Sequence, residues 1–170
     1  MAKIIILDTS YMLELFGVSL DSQPCRTEEA RKLFQEAIQN GYDVFCPLSV
    51  LYELANYIVD IKDHNLQQEI AERFKEMVEG AFTVDNPFSI IPNGNSEPIY
   101  EELASLPKLC REYQGSIRMG LGLTDCTIID VARMLKRNYA TRKRNWPAHI
   151  WTTHAALKAM APDDFGHQYF

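Results

Sequence analysis

The first apolar run is short and dense. Ile4-Ile5-Ile6-Leu7 carries no polar residue, then Asp8-Thr9-Ser10 follows without transition. A continuous β-branched run of this length predicts a strand at 3–8 covered on both faces, as in the centre of a parallel sheet. Thr9 and Ser10 can cap a short helix from Tyr11 to Phe16, and Gly17 can end it. The polar stretch 18–26, with Pro24, reads as a loop. Ala30, Leu33, Phe34, Ala37 and Ile38 then recur at i, i+3, i+4, i+7 and i+8, one apolar stripe of a helix. Thr27 is its candidate cap and Gly41 its stop.

A second strand, Asp43-Val44-Phe45-Cys46, is closed by Pro47. Ser49 is a candidate cap for a helix striped by Leu51, Leu54, Ala55, Ile58 and Val59. Asn65 opens another helix, with Leu66, Ile70, Phe74, Met77 and Val78 on one side. Phe82-Thr83-Val84 and Ser89-Ile90-Ile91 are both strand-like, and one of them is the third strand. A loop is expected at 93–96, a helix at 97–105, and a fresh helix from Pro107. Gly and Ser breaks fill 115–123, and Thr124-Asp125 opens a helix with Ile128, Ala132 and Leu135 inward. A basic loop, 136–148, leads to a last strand, His149-Ile150-Trp151-Thr152, and a last helix, 153–160.

Strands alternating with helical patterns predict an α/β fold, a parallel sheet covered by helices on both faces. At 170 residues a single domain spanning 1–170 is expected, large enough to bury roughly 70% of its unfolded surface. No stretch approaches the ~18 apolar residues of a membrane span. An acid interrupts the first apolar run too early for a signal peptide. Four scattered cysteines without paired spacing suit reduced thiols, mostly core fillers, in a cytoplasmic protein. No G-x-G-x-x-G follows a strand and no G-x-x-x-x-G-K occurs, so nucleotide-cofactor and P-loop chemistry lose their main support.

The net charge of −6 argues by itself against nucleic acid, but its distribution does not. Between Val131 and Pro162 there are seven basic residues and no acid; the rest of the chain sets ten basic residues against all 23 acids. Such polarity gives a local positive field within an acidic total. Lys136, Arg137, Arg142, Lys143 and Arg144 are candidate phosphate contacts. Tyr139, Trp146 and Trp151 share the segment, and aromatics in a basic groove suit single-stranded RNA. Trp151 lies in a strand and also fits the core.

Three acids fall at corresponding places. Asp8 follows the first strand, where open α/β sheets place ligands. Glu53 lies near the start of the helix after the second strand, and Asp125 opens a late helix. Each alone also fits a plain role, as cap, solvated helix residue or dipole partner. Together they would repel unless a cation stood between them. A hard divalent ion, Mg²⁺ or Mn²⁺, takes carboxylate oxygens and is completed by water and phosphate, and it can drive phosphodiester hydrolysis.

Four pieces, in order, resemble the PIN domain family of ribonucleases: Ile4–Ser10, Pro47–Asn56 with Glu53, Gly122–Cys126 with Asp125, and Ile150–His154. The resemblance implies a metal-dependent endoribonuclease acting on single-stranded RNA, built as three layers α/β/α around a central parallel sheet of four to five strands. Asp8, Glu53 and Asp125 would be the metal-holding catalytic carboxylates, with Thr9, Ser10 and Thr152 as polar helpers. It also implies a possible homodimer and an antitoxin-like partner. The chain departs from the family at His154, where an acid is usual. An imidazole nitrogen suits Mn²⁺ or Zn²⁺ better than Mg²⁺, and His154 equally fits a cap or packing role. Asp130 lies about 140° round the helix from Asp125 and is a poor substitute; Asp163 and Asp164 could fold back instead. The alternative function is a degenerate PIN-like module that binds RNA or protein without cutting.

Overall fold

The computed structural model describes residues 3–18, 24–83, 86, 88–91, 108–139 and 146–170. Four strands form one sheet: β1 (Ile4–Leu7), β2 (Asp43–Pro47), β3 (Ser89–Ile91) and β4 (Ala148–Trp151). Their order is β3-β2-β1-β4 and every pairing is parallel. Among the described residues seven helices accompany them: α1 (Thr9–Phe16), α2 (Pro24–Gln39), α3 (Leu48–Val59), α4 (His64–Gly80), α5 over 108–116, α6 (Leu123–Tyr139) and α7 (Ala155–Lys158). A short 3-10 turn, Ile117–Met119, joins α5 to α6. The fold is the expected α/β/α arrangement on a parallel sheet.

The polar-free first run is explained by its place. β1 is flanked by β2 and β4 and all four of its residues are fully buried, each Ile worth roughly 1.5–3 kcal/mol of burial. Tyr11, Trp151 and Phe170 pack as an aromatic cluster against it, with ring centroids 5.1 and 5.0 Å apart about Tyr11. The chain passes from β1 outward to β2 and β3, then returns across to β4. The carboxyl ends of β1 and β4 therefore flank the point where strand order reverses, the crevice in which open α/β sheets bind ligands.

Several local expectations are corrected. Asp8, not Thr9 or Ser10, caps α1, accepting from the Ser10 N–H, and Gly17 closes the helix at φ 70°. α2 starts at Pro24, inside the expected loop; proline fits a first turn because its missing N–H has no partner there anyway. α3 starts at Leu48 after Pro47, and Ser49 is no cap: its Oγ is buried without a hydrogen-bond partner. Asp63 caps α4, which starts at His64, one residue earlier than expected. The third strand is Ser89–Ile91; Phe82 and Thr83 lie in a turn. α6 runs on to Tyr139, so Lys136 and Arg137 are helical, and the last helix shrinks to one turn. Of the cysteines, only Cys46 and Cys126 are buried. The expected loop 93–96 and helix 97–105, Pro107, and residues 140–145 lie outside the described residues.

Candidate functional site

The site is built on strand ends. β1 delivers Asp8, which is 4% exposed. β4 delivers Thr152, fully buried. Parallel pairing of Leu7 with Trp151 sets these two next residues side by side. The Thr152 hydroxyl donates to Asp8 Oδ2 at 2.8 Å. The Ser10 hydroxyl and backbone N–H reach the same oxygen at 2.6 and 3.2 Å. Ser10 Oγ and Thr152 Oγ1 are 3.2 Å apart, and they accept the Thr153 and His154 backbone N–H groups, each at 2.9 Å. One oxygen of Asp8 is thus fixed by three donors. The other, Oδ1, takes no hydrogen bond among the described residues.

The remaining acids join from helices. Glu53 lies on α3, half-buried, and its Oε2 accepts from Thr9 Oγ1 at 2.9 Å. Thr9 is the neighbour of Asp8, so one hydroxyl links the second acid to the first. Asp125 lies in the first turn of α6, where its Oδ2 accepts the Gly122 N–H at 2.6 Å. Gly120 turns the chain into α6 at φ 75°, and a methyl group built on it would stand 3.9 Å from His154 Nε2. Gly120 and Gly122 thus bring His154 and Asp125 to one turn. In the sequence Gly120 is only one of the breaks in 115–123 and Gly122 the first residue of the Gly122–Cys126 piece; the contact of the Gly122 N–H with an acid is something composition does not signal.

The electrostatics are those of an acid held without a counter-charge. Burial pushes the Asp8 carboxyl above the ordinary carboxylate range. The Ser10 and Thr152 hydroxyls favour its charged form and pull back, and the negative charge of Asp125 pushes up again. Behind it, the buried Cys46 thiol is raised by burial and by Asp8, so it is an inert core filler. Among the described residues the ion pairs leave out Asp8, Glu53 and Asp125.

Among the described residues, no three His, Cys, Asp or Glu side chains close into a metal-holding group. The donor set nonetheless fits a hard ion of the open kind: Mg²⁺ keeps several waters and needs only one or two carboxylates, and a buried, unpaired Asp8 beside Asp125 supplies them.

Other candidates are placed elsewhere. Asp130 pairs with Lys108 at 2.8 Å. Asp163 does fold back, but to the opposite edge, where it binds Lys136 Nζ at 2.6 Å and accepts the Ala148 N–H at 2.9 Å. Lys136 also donates to the Trp146 carbonyl at 2.9 Å. It is a brace at the amino end of β4, at the opposite end of the strands from Asp8. Arg137 is exposed on the last turn of α6, and Arg142, Lys143 and Arg144 lie outside the described residues. Trp151 is core. No helix among the described residues is long and apolar enough to cross a membrane. Compared with known families and with curated proteins, the chain matches none.

Proposed function

We propose that this carboxyl edge is the active site of a divalent-metal-dependent, PIN-like endoribonuclease acting on single-stranded RNA. The observation that carries the reading is Asp8: buried, without an ion pair among the described residues, and held in the crevice at the strand-order reversal with Glu53 and Asp125 beside it. When bound, Mg²⁺ or Mn²⁺ would polarise the phosphate and lower the pKa of an attacking water. The chain's own contribution is orientation. Ser10 and Thr152 hold Asp8 Oδ2 and leave Oδ1 to face a ligand. Thr9 fixes one Glu53 oxygen, and the Gly122 N–H fixes one Asp125 oxygen. Each acid so keeps one oxygen without a hydrogen bond among the described residues, and fixing the other limits reorganisation during reaction. Arg137, Arg142, Lys143 and Arg144 are proposed to guide the RNA backbone at longer range.

The test is cleavage of a mixed RNA pool with Mg²⁺ or Mn²⁺. Activity is expected in the wild type and in neither Asp8→Asn nor Asp125→Asn. Persistence of activity in both variants overturns the assignment. A second reading, an RNA- or protein-binding module that does not cut, is favoured by His154 standing where the family places an acid. Calorimetry separates the two, since a module that binds neither ion fits only the second. A homodimer and an antitoxin-like partner follow from the resemblance alone, and light scattering tests the first of these.

A further inference from the structure

Apolar surface is distributed unevenly around the acids. Nine large apolar or aromatic side chains are exposed among the described residues, and four of them, Tyr52, Ile117, Met119 and Leu123, lie on the segments that carry Glu53 and Asp125. Tyr52 is 66% exposed and precedes Glu53 on the same turn of α3. Ile117 and Met119, the latter 51% exposed, belong to the 3-10 turn that leads into Gly120 and Gly122. That turn is tied to the site by the Gly122 N–H on Asp125 and by the approach of Gly120 to His154. Leu123 opens α6, and α3 and α6 touch. Exposed apolar side chains therefore stand in the same chain segments as the acids: an aromatic ring beside Glu53 on α3, and aliphatic side chains in the segment that leads into Asp125 on α6.

One cation marks what covers this surface. Arg118 sits between Ile117 and Met119, exposed, and belongs to none of the ion pairs among the described residues. Apolar faces with an interposed arginine match a ligand that alternates flat apolar rings with negative charge. Every nucleobase offers a π-face, and successive bases are commonly held by such stacking while arginine meets the phosphate. We infer that Tyr52 and the Ile117–Leu123 turn form a two-sided shelf that takes the bases flanking the phosphate at the acids, with Arg118 on the backbone. Reading comes through ring area, so binding on this shelf is tolerant of sequence. The inference rests on the nuclease reading for the identity of its ligand.

The experiment compares two strands. A short labelled single-stranded RNA and the same strand with abasic positions are titrated by fluorescence anisotropy in EDTA, so that nothing is cut. Tyr52→Ala is expected to weaken the intact strand about tenfold, as loss of one stacked base does, and Met119→Ala, which removes apolar contact and no ring, to weaken it by less. Neither should change the abasic strand. Arg118→Ala should weaken both strands alike and flatten the salt dependence. Because Tyr52 and Met119 are exposed, the variants should melt with the wild type. Equal weakening of both strands by Tyr52→Ala, no weakening of either, or no RNA binding at all overturns the shelf. So does light scattering in which Tyr52→Ala dissociates a dimer, since the patch is then covered by a second copy. Cleavage measured in parallel keeps the two readings apart. Base-dependent binding without cleavage retains the shelf and removes the nuclease, whereas cleavage indifferent to Tyr52 and Met119 does the reverse.

Discussion

Replacing Thr152 by valine removes one oxygen and keeps the shape. The residue is fully buried and its hydroxyl does two things at once: it donates to Asp8 at 2.8 Å and accepts the His154 N–H at 2.9 Å. A hydrogen bond to a charged acceptor contributes about 1.5–3 kcal/mol and a neutral one about 0.5–1.5. Asp8 keeps its two bonds from Ser10, so part of the loss is absorbed, and the expected cost is about 2–4 kcal/mol at neutral pH. For a chain of this size each kcal/mol lowers the melting temperature by roughly 2–4 °C. The sign of the pH dependence is fixed by which form of Asp8 the bond prefers. The Thr152 hydroxyl favours the carboxylate. Its contribution is therefore largest where Asp8 is ionised and shrinks as pH falls through the raised pKa, because a protonated carboxyl accepts only an ordinary bond. Urea unfolding at neutral and at acidic pH, for wild type, Thr152→Val and Thr152→Ser, reads this directly. The valine variant should lose about 1 kcal/mol less in acid than at neutrality, and serine, which keeps the hydroxyl, should cost only about 1 kcal/mol for its methyl group at either pH. A valine penalty independent of pH would refute the link to the Asp8 charge.

Asp8→Asn can still cap α1 while it removes a charge that burial penalises. Because the folded pKa lies above the unfolded one, wild-type stability declines as pH rises through that interval. The metal-free variant should melt at or above the wild type at pH 7 yet gain no stability from Mn²⁺ in scanning calorimetry; a drop of several degrees without metal would count against it. Asp163→Asn tests the opposite edge. Burial works against the Asp163 charge, but Lys136 and the Ala148 N–H outweigh it and hold the carboxyl below its usual range. The stability gained is present above the unfolded value and disappears as pH falls through the folded one. The variant should lose about 1 kcal/mol at pH 7 after solvent screening, and little in acid, with RNA cleavage unchanged. Gly120→Ala places a β-carbon at φ 75°, costing about 1 kcal/mol in a urea melt, whereas Gly115→Ala, with open space around it, should not destabilise.

What the sequence exposes depends on how far apart the interacting residues stand. Ile4–Leu7 is readable as a buried central strand because burial on both faces leaves no polar position. Asp8 and Asp125 are readable as edge residues because one follows a strand and the other lies in the first turn of a helix, and Glu53 because it stands in the first half of the helix that follows the second strand. Helix starts are misread where a proline does the work: Pro24 and Pro47 offer no side-chain cap, so Thr27 and Ser49 look better than they are. Choosing between Phe82-Thr83-Val84 and Ser89-Ile90-Ile91 is beyond pattern, since three residues hold too little periodicity. The Lys136–Asp163 pair, 27 residues apart, leaves no local trace, so Lys136 is readable as a phosphate contact although it braces the far edge. His154 is half legible. Its position in the pattern stands out, but its approach to Gly120 comes from a turn that composition presents as mere breaks.

The partner of β1 on one side is made early and on the other side very late. β2 leaves the ribosome some forty residues after β1, but β4 only after nearly the whole described chain. Until then the Asp8 carboxylate lacks Thr152, and one edge of β1 lacks its ladder. Vectorial synthesis thereby acts as a timer. A growing chain can carry Asp8, Glu53 and Asp125 while its first strand still waits for a neighbour, and the clamp on Asp8 closes only once the segment around residue 152 has docked. Contacts spanning 144 residues are slow to close, so the hydroxyl that Thr152 brings to Asp8 is among the last pieces of this edge to be set.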